Sequence, residues 1–197
     1  MTLPLPTPPM LFAFMLAGEI WLMRSRLSAD ASRQADRGSL RLLIAIILVS
    51  TGLAWAAKRR VPQAGFEALL GLGPMALACI YWAGLALFVA GVGLRWYSMI
   101  YLGRLFTFDV AVADDHQVIA SGPYRRIRHP SYTGALMAYA GLGLCGGNLL
   151  SLMVLVTPIA LAFLRRIAVE EAALTSALGS RYADYAGRTK RLVPFVY

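Results

Sequence analysis

Five apolar runs, at about 9–23, 40–57, 72–94, 132–145 and 148–164, dominate this 197-residue chain. Hydrocarbon offers the backbone no solvent to bond, so each run must satisfy its own N–H and C=O groups as a helix. The third run is long enough to cross a bilayer comfortably. The first, fourth and fifth are short and require packing within a bundle. Composition agrees, since only 15% of residues are charged and 58% are hydrophobic, against about a quarter charged in soluble domains. The expected fold is all-α, a polytopic membrane helix bundle of about five transmembrane helices. It divides into three N-terminal helices with their connections (1–94) and a polar-loop-rich region (95–197). The opening MTLPLPTPPMLFAF lacks the basic n-region and A-x-A-like site of a signal peptide, so the first run is expected to be retained. Leu142–Asn148, LGLCGGN, reads as a tight turn joining the last two helices in a hairpin.

The net charge of +9 does not imply nucleic acid, because the basic residues sit at the ends of apolar runs, where lipid headgroups are the natural partners. Of the 19 Lys and Arg, 16 fall in three regions that five alternating spans place on one side. These are the 24–41 connection, the 95–131 segment and the tail from Arg165. Lys58, Arg59 and Arg60 alone lie opposite. The positive-inside rule then puts the N-terminus outside and the C-terminus in the cytosol.

Cys79 and Cys145 lie in apolar runs and are expected as small buried hydrophobes, not a disulfide. With only His116 and His129 as histidines and no cysteine beside them, no catalytic metal site is expected. Gly141, Gly143 and Gly146 spell G-x-G-x-x-G, but no strand precedes them and no acid follows at the dinucleotide spacing. Close helix packing is the expected use of these glycines. Glu19, five residues before Arg24, is expected to snorkel to the interface.

Two polar segments flank the last hairpin on the basic side, so they should meet. In the first, Asp114–Tyr124 gives a polar entry, a short extended run and a Gly-Pro turn. An extended backbone can hold a purine edge, although an ordinary interfacial loop has the same composition. Arg128-His129-Pro130-Ser131-Tyr132 follows, with Pro130 suited to the first turn of the fourth helix and its anion-attracting terminus. An interfacial Arg/Tyr belt would read the same way. In the second segment, Arg166 and Glu170 share a helix face, while the adjacent Glu170 and Glu171 diverge by roughly 100°, so at most one should enter a pocket well. A surface ion pair of a few tenths of a kcal/mol is the plain alternative for Arg166 and Glu170. The helix should stop near Gly179, with Tyr182, Tyr185 and Arg188 following as a lid.

In order, His116-x-Val118-Ile119-x-x-Gly122-x-Tyr124, Arg128-His129-Pro130-Ser131-Tyr132-x-Gly134, Arg166-x-x-x-Glu170-Glu171, and Gly179-x-x-Tyr182-x-x-Tyr185 with Pro194 resemble the isoprenylcysteine carboxyl methyltransferase family of integral membrane enzymes. The resemblance covers about residues 114–196, and the first three runs carry no matching motif. It implies an S-adenosyl-L-methionine site without a Rossmann domain. By that resemblance His116, Gln117, Val118 and Ile119 line the cofactor, with Tyr124 nearby. His129, Pro130, Ser131 and Tyr132 form a second wall, and Glu170 closes it. Arg166 faces the acceptor's carboxylate; Arg166, Glu170 and Arg128 are the expected catalytic residues, and Asp109 falls where the family can place a further polar contact. Methyl transfer from a sulfonium to a carboxylate needs positioning and partial desolvation more than a base. The implied acceptor is a lipophilic or prenylated molecule arriving through the membrane. Its Arg/Ala-rich usage and short form fit a bacterial inner membrane. Three readings compete: a phospholipid N-methyltransferase, whose amine would need a base such as Glu171 or His129; an NADPH-dependent membrane reductase sharing the R-H-P-x-Y element; and a non-catalytic scaffold or transporter.

Overall fold

The computed structural model describes residues 5–24, 34–106, 110–111, 118–195 and 197. Five apolar helices alternate in direction: α1 (Pro8–Arg24), α2 (Arg37–Arg60), then, after the short α3 (Phe66–Leu70), α4 (Pro74–Leu102), α5 (Pro130–Gly146) and α6 (Leu149–Leu178). The short α7 (Ser180–Arg188) follows a glycine at positive φ, Gly179, which ends α6 where the sequence predicts. Helices α2, α4 and α6 are long and apolar enough to cross a membrane unaided. The 17 residues of α1 and of α5 are at the lower end of the crossing range of about 17–25 residues. Packed side by side, the five make an integral membrane bundle, as expected. Two elements outgrow their apolar runs. Helix α6 has 30 residues because its polar second half keeps an unbroken helical backbone past Arg165. Helix α4 runs on to Leu102, so Arg95 lies inside it and not in a connecting loop. One non-helical feature was not foreseen: β1 (Gln34–Asp36) pairs antiparallel with β2 (Val110–Ala111), tying the 24–37 and 102–130 connections together at one end of the bundle.

The core gathers on α5, which meets α4, α6 and α1, with α2 packed on α6. Phe88 and Val92 of α4, Ala135 and Ala138 of α5, and Ile159 and Phe163 of α6 are nearly inaccessible. The outward belt is apolar instead of polar, with Trp21 71%, Val89 61% and Leu161 62% exposed, as a lipid-facing surface requires. Cys145 is buried, but Cys79 is exposed, contrary to expectation. It sits on an α4 surface that none of the described helices covers. Glycines set the α4–α5 distance: a Cβ on Gly91 would stand 2.5 Å from Ala138 N and 2.6 Å from Gly134 O, so backbone lies on backbone. Of the three glycines expected in packing, Gly141 faces Phe88 backbone and Gly143 faces Leu152, whereas a Cβ on Gly146 would meet nothing within 4 Å. The hairpin turn closes on Gly147 at φ 69° and on Asn148, whose side chain caps α6 by accepting from Ser151 N at 2.9 Å.

Candidate active site

The N-terminus of α5 forms one wall. Pro130 occupies its first turn, and His129 precedes it as the cap residue, as its fixed φ and missing N–H favour. Its carbonyl accepts from Tyr132 N and Thr133 N. The tail returns to hold this corner. Arg128 N donates to Lys190 O at 2.7 Å, His129 N to Arg191 O at 3.0 Å, and Thr133 Oγ1 to Leu192 O at 2.7 Å. A segment some sixty residues downstream thus fixes the backbone of the His129–Tyr132 wall.

The second wall is the polar extension of α6. Tyr132 links the two: its hydroxyl donates to Glu170 Oε2 at 2.8 Å and accepts from Arg166 Nε at 3.0 Å. The ring stacks between Phe163, 5.0 Å away, and His129, 5.6 Å away. Arg166 is only 4% exposed and also donates to Ser39 Oγ of α2 at 2.7 Å. It is therefore a buried connector, not the surface partner that spacing alone allows. Beside it, between α2 and α6, runs a groove of about 300 Å³ lined by Leu42, Leu43, Ile46, Pro158 and Leu161, with Arg165 and Arg166 at its polar end.

Both glutamates reach this corner, correcting the expectation that only one could. His129 stands between them, Nδ1 3.9 Å from Glu170 Oε2 and Nε2 3.2 Å from Glu171 Oε1. The wall and the returning tail flank α6 on two sides, so residues 100° apart each find a partner. Glu170 keeps a third of its side chain exposed. Glu171 is enclosed, bonded to Arg128 Nε at 2.7 Å and Arg191 Nε at 3.0 Å. This part of α6 projects beyond the apolar stretch that ends near residue 164. Burial pushes the Glu171 carboxyl up, but its bonds to His129, Arg128 and Arg191 outweigh that and hold it at about 2.

Other expected site residues are placed differently. Arg128 also donates to the Ala186 and Thr189 carbonyls, so its guanidinium joins α6, α7 and the tail. Tyr124 is buried, but its hydroxyl donates to Ser98 O at 3.1 Å and its carbonyl accepts from Tyr185 at 2.8 Å, making it an anchor of the loop on α4 and α7. Val118 and Ile119 are half-buried in irregular backbone. His116, Gln117 and Asp109 lie outside the described residues.

One feature escaped the sequence reading and another was read only as part of a lid. Glu19 does not snorkel: its carboxylate takes two bonds of 2.6 Å from Arg95, whose Nη1 also points to Ser131 O at 3.4 Å. One acid and one base inside neighbouring apolar helices was the available signal, missed because Arg95 was assigned to a loop. Tyr182 is the other. Its hydroxyl is buried without a hydrogen-bond partner among the described residues. Burial first, then the Glu171 charge, raises its pKa, and Glu170 adds to this, so it faces the same acidic corner.

Comparison with known proteins bears mainly on the second half of the chain. Residues 84–176 match the isoprenylcysteine carboxyl methyltransferase (ICMT) family. Over this stretch the chain is similar to that family. Protein-S-isoprenylcysteine O-methyltransferase B of Arabidopsis thaliana is 33% identical over 57% of this chain and 58% of its own length. The cobalt-zinc-cadmium resistance protein CzcN of Cupriavidus metallidurans is 32% identical over 52% of this chain and 48% of its own. The chain spans about three fifths of the length of the plant relatives it matches. A solved structure of the eukaryotic intramembrane Ras methyltransferase of the same family superposes with a TM-score of 0.64 at 23% identity, covering 98% of this chain and 70% of that one. The bundle, including the helices without sequence motifs, therefore shares the fold of that solved structure.

Proposed function

We propose that the chain is an integral membrane methyltransferase that uses S-adenosyl-L-methionine to methylate a carboxylate on a lipophilic, prenylated-type acceptor. The observation that carries this is the Arg166–Tyr132–Glu170 chain, which joins a polar corner to the mouth of an apolar groove. The corner suits the donor's chemistry. Glu170 leaves carboxylate surface for hydroxyls or an ammonium, and the Tyr182 hydroxyl is a buried donor without a protein partner among the described residues. Bound there, S-adenosyl-L-methionine would supply a methyl group on a sulfonium, a leaving group that needs no protonation.

The residues of the chain then have separable tasks. Glu170, His129 and Tyr182 would hold the donor, and Pro130–Tyr132 would form its wall, with His116–Ile119 contributing from the preceding loop. Arg166 would face the acceptor carboxylate at the polar end of the groove, while the aliphatic lining takes the lipid part and excludes water. Arg128 acts as a positioning residue, because its Nε and Nη1 are committed to Glu171 and two carbonyls. Methylation of an amine is less well served. That reaction needs a base; Glu171 at about 2 is too weakly basic for the task, and both ring nitrogens of His129 face Glu170 and Glu171. The charge asymmetry supports a cytosolic face for the site in a bacterial inner membrane, with the N-terminus outside.

Calorimetric titration of the purified protein with S-adenosylmethionine, S-adenosylhomocysteine and NADPH tests the donor. Binding of the two sulfur compounds alone is expected; binding of NADPH alone would overturn the reading. Labelled donor offered with a prenylcysteine analogue or a phospholipid amine tests the acceptor, and label confined to the amine would reassign it.

A further inference from the structure

The end of the bundle opposite the site carries a second built cleft. Helix α2 spans both ends: Ser39 bonds Arg166 at one, and Lys58 lies nineteen residues on, about 28 Å away at the helical rise. There a cavity of about 300 Å³ opens between α1, α2, α5 and α6. Phe12, Ala54, Trp55, Leu142 and Leu155 make it almost wholly apolar, and Lys58 stands on its rim. Its walls are fixed by long-range bonds. Tyr81 Oη donates to Pro6 O at 2.7 Å, Ser151 Oγ to Ala54 O at 2.7 Å, and Asn148 Nδ2 to Val61 O at 3.0 Å. Arg59 lies over the Trp55 ring, 4.2 Å from its centroid. Lys58, Arg59 and Arg60 are consecutive and exposed, and no described carboxylate pairs with them. They are also the three basic residues at the end that the rest of the chain leaves without positive charge.

We propose that this cleft is a binding site for one anionic phospholipid, with an acyl chain in the apolar cavity and its phosphate at the Lys58–Arg60 cluster. The charge pattern selects the occupant. An apolar slot alone would take any lipid tail, but Lys58 on its rim, with Arg59 and Arg60 beside it on the same helix end and no described carboxylate pairing with any of the three, favours a headgroup of net negative charge. The position is too far from Arg166 for the occupant to be the acceptor in reaction, so this site is independent of the proposed methyl transfer.

Gly52 provides a clean probe, because it lines the cleft and a Cβ there would meet nothing within 4 Å. Gly52→Phe therefore places a ring at the cavity from a position whose Cβ has open space, and Lys58→Gln removes rim charge from an exposed position. The intact protein and both variants would be compared in nanodiscs of phosphatidylcholine with and without phosphatidylglycerol, by melting temperature and by native mass spectrometry of retained lipid. The expected result is a higher melting temperature with phosphatidylglycerol and one tightly retained copy in the wild type. Gly52→Phe should lose both, and Lys58→Gln should lose the preference for the anionic lipid. S-adenosylmethionine affinity, measured in parallel, should stay unchanged and so report that the variants are folded. Equal stabilisation by the two lipids in the wild type, or an anionic preference that survives in both variants, would overturn the proposal.

Discussion

Tyr132 concentrates the polar logic of the site in one hydroxyl, which donates to Glu170 and accepts from Arg166. Tyr132→Phe keeps the ring stacking against Phe163 and His129 and removes only those two bonds. A hydrogen bond to a charged group contributes about 2 kcal/mol, so donor affinity should fall roughly thirtyfold by calorimetry. Tyr182 makes the contrasting case. Because its hydroxyl has no partner among the described residues, Tyr182→Phe should leave the melting temperature unchanged or raised while weakening S-adenosylmethionine binding about tenfold. Lower stability with unaltered affinity would assign that hydroxyl to the fold instead.

At the scale of elements, the α4–α5 contact is the most exacting, since two helices meet at their backbones. Gly91→Ala would place a methyl 2.5 Å from Ala138 N and should cost about 1–3 kcal/mol by overpacking, seen as a lower melting temperature in detergent. Gly146→Ala, with open space around it, should be neutral or stabilising by up to about 1 kcal/mol from helix propensity. The same elements show what a reader of the sequence can and cannot recover. The apolar runs and the Gly147 turn were legible because bilayer thickness and glycine's left-handed freedom are local constraints. The extent of α4 was not, because the end of an apolar run was equated with the end of a helix. That error hid Arg95 from Glu19. The pairing of the 34–36 and 110–111 strands depends on a register no local pattern announces. The site corner was legible as ordered motifs, but not the assignment of tasks within it. Whether Arg128 touches a substrate or holds α7 depends on where residues 186–191 return.

At the scale of the whole molecule, Glu171 is the point where α6, the α5 terminus and the tail meet. Its carboxyl is held at about 2 against an ordinary 4.5, so it stabilises the folded state above pH 4.5. That contribution fades as the pH falls through the interval down to about 2, where the folded form also takes up the proton. Melting temperature should therefore drop with acidification across that window. Glu171→Gln should lose about 3 kcal/mol near neutrality, because Arg128 keeps a largely buried guanidinium without its countercharge, and its residual acid dependence should be shallower. A variant as stable as the wild type at neutral pH would show that the tail is held by its backbone bonds alone.

The glycine contact between α4 and α5 also bears on how such a chain can diversify. Where backbone rests on backbone there is no side chain to exchange, so that half of the bundle is closed to gradual change. The groove between α2 and α6 is walled by Leu42, Leu43, Ile46 and Leu161, each replaceable by a larger or smaller apolar neighbour without moving a helix. Under the proposed function, a lineage in search of a new acceptor would find its variation there, on side chains that face between α2 and α6 and away from the glycine seam.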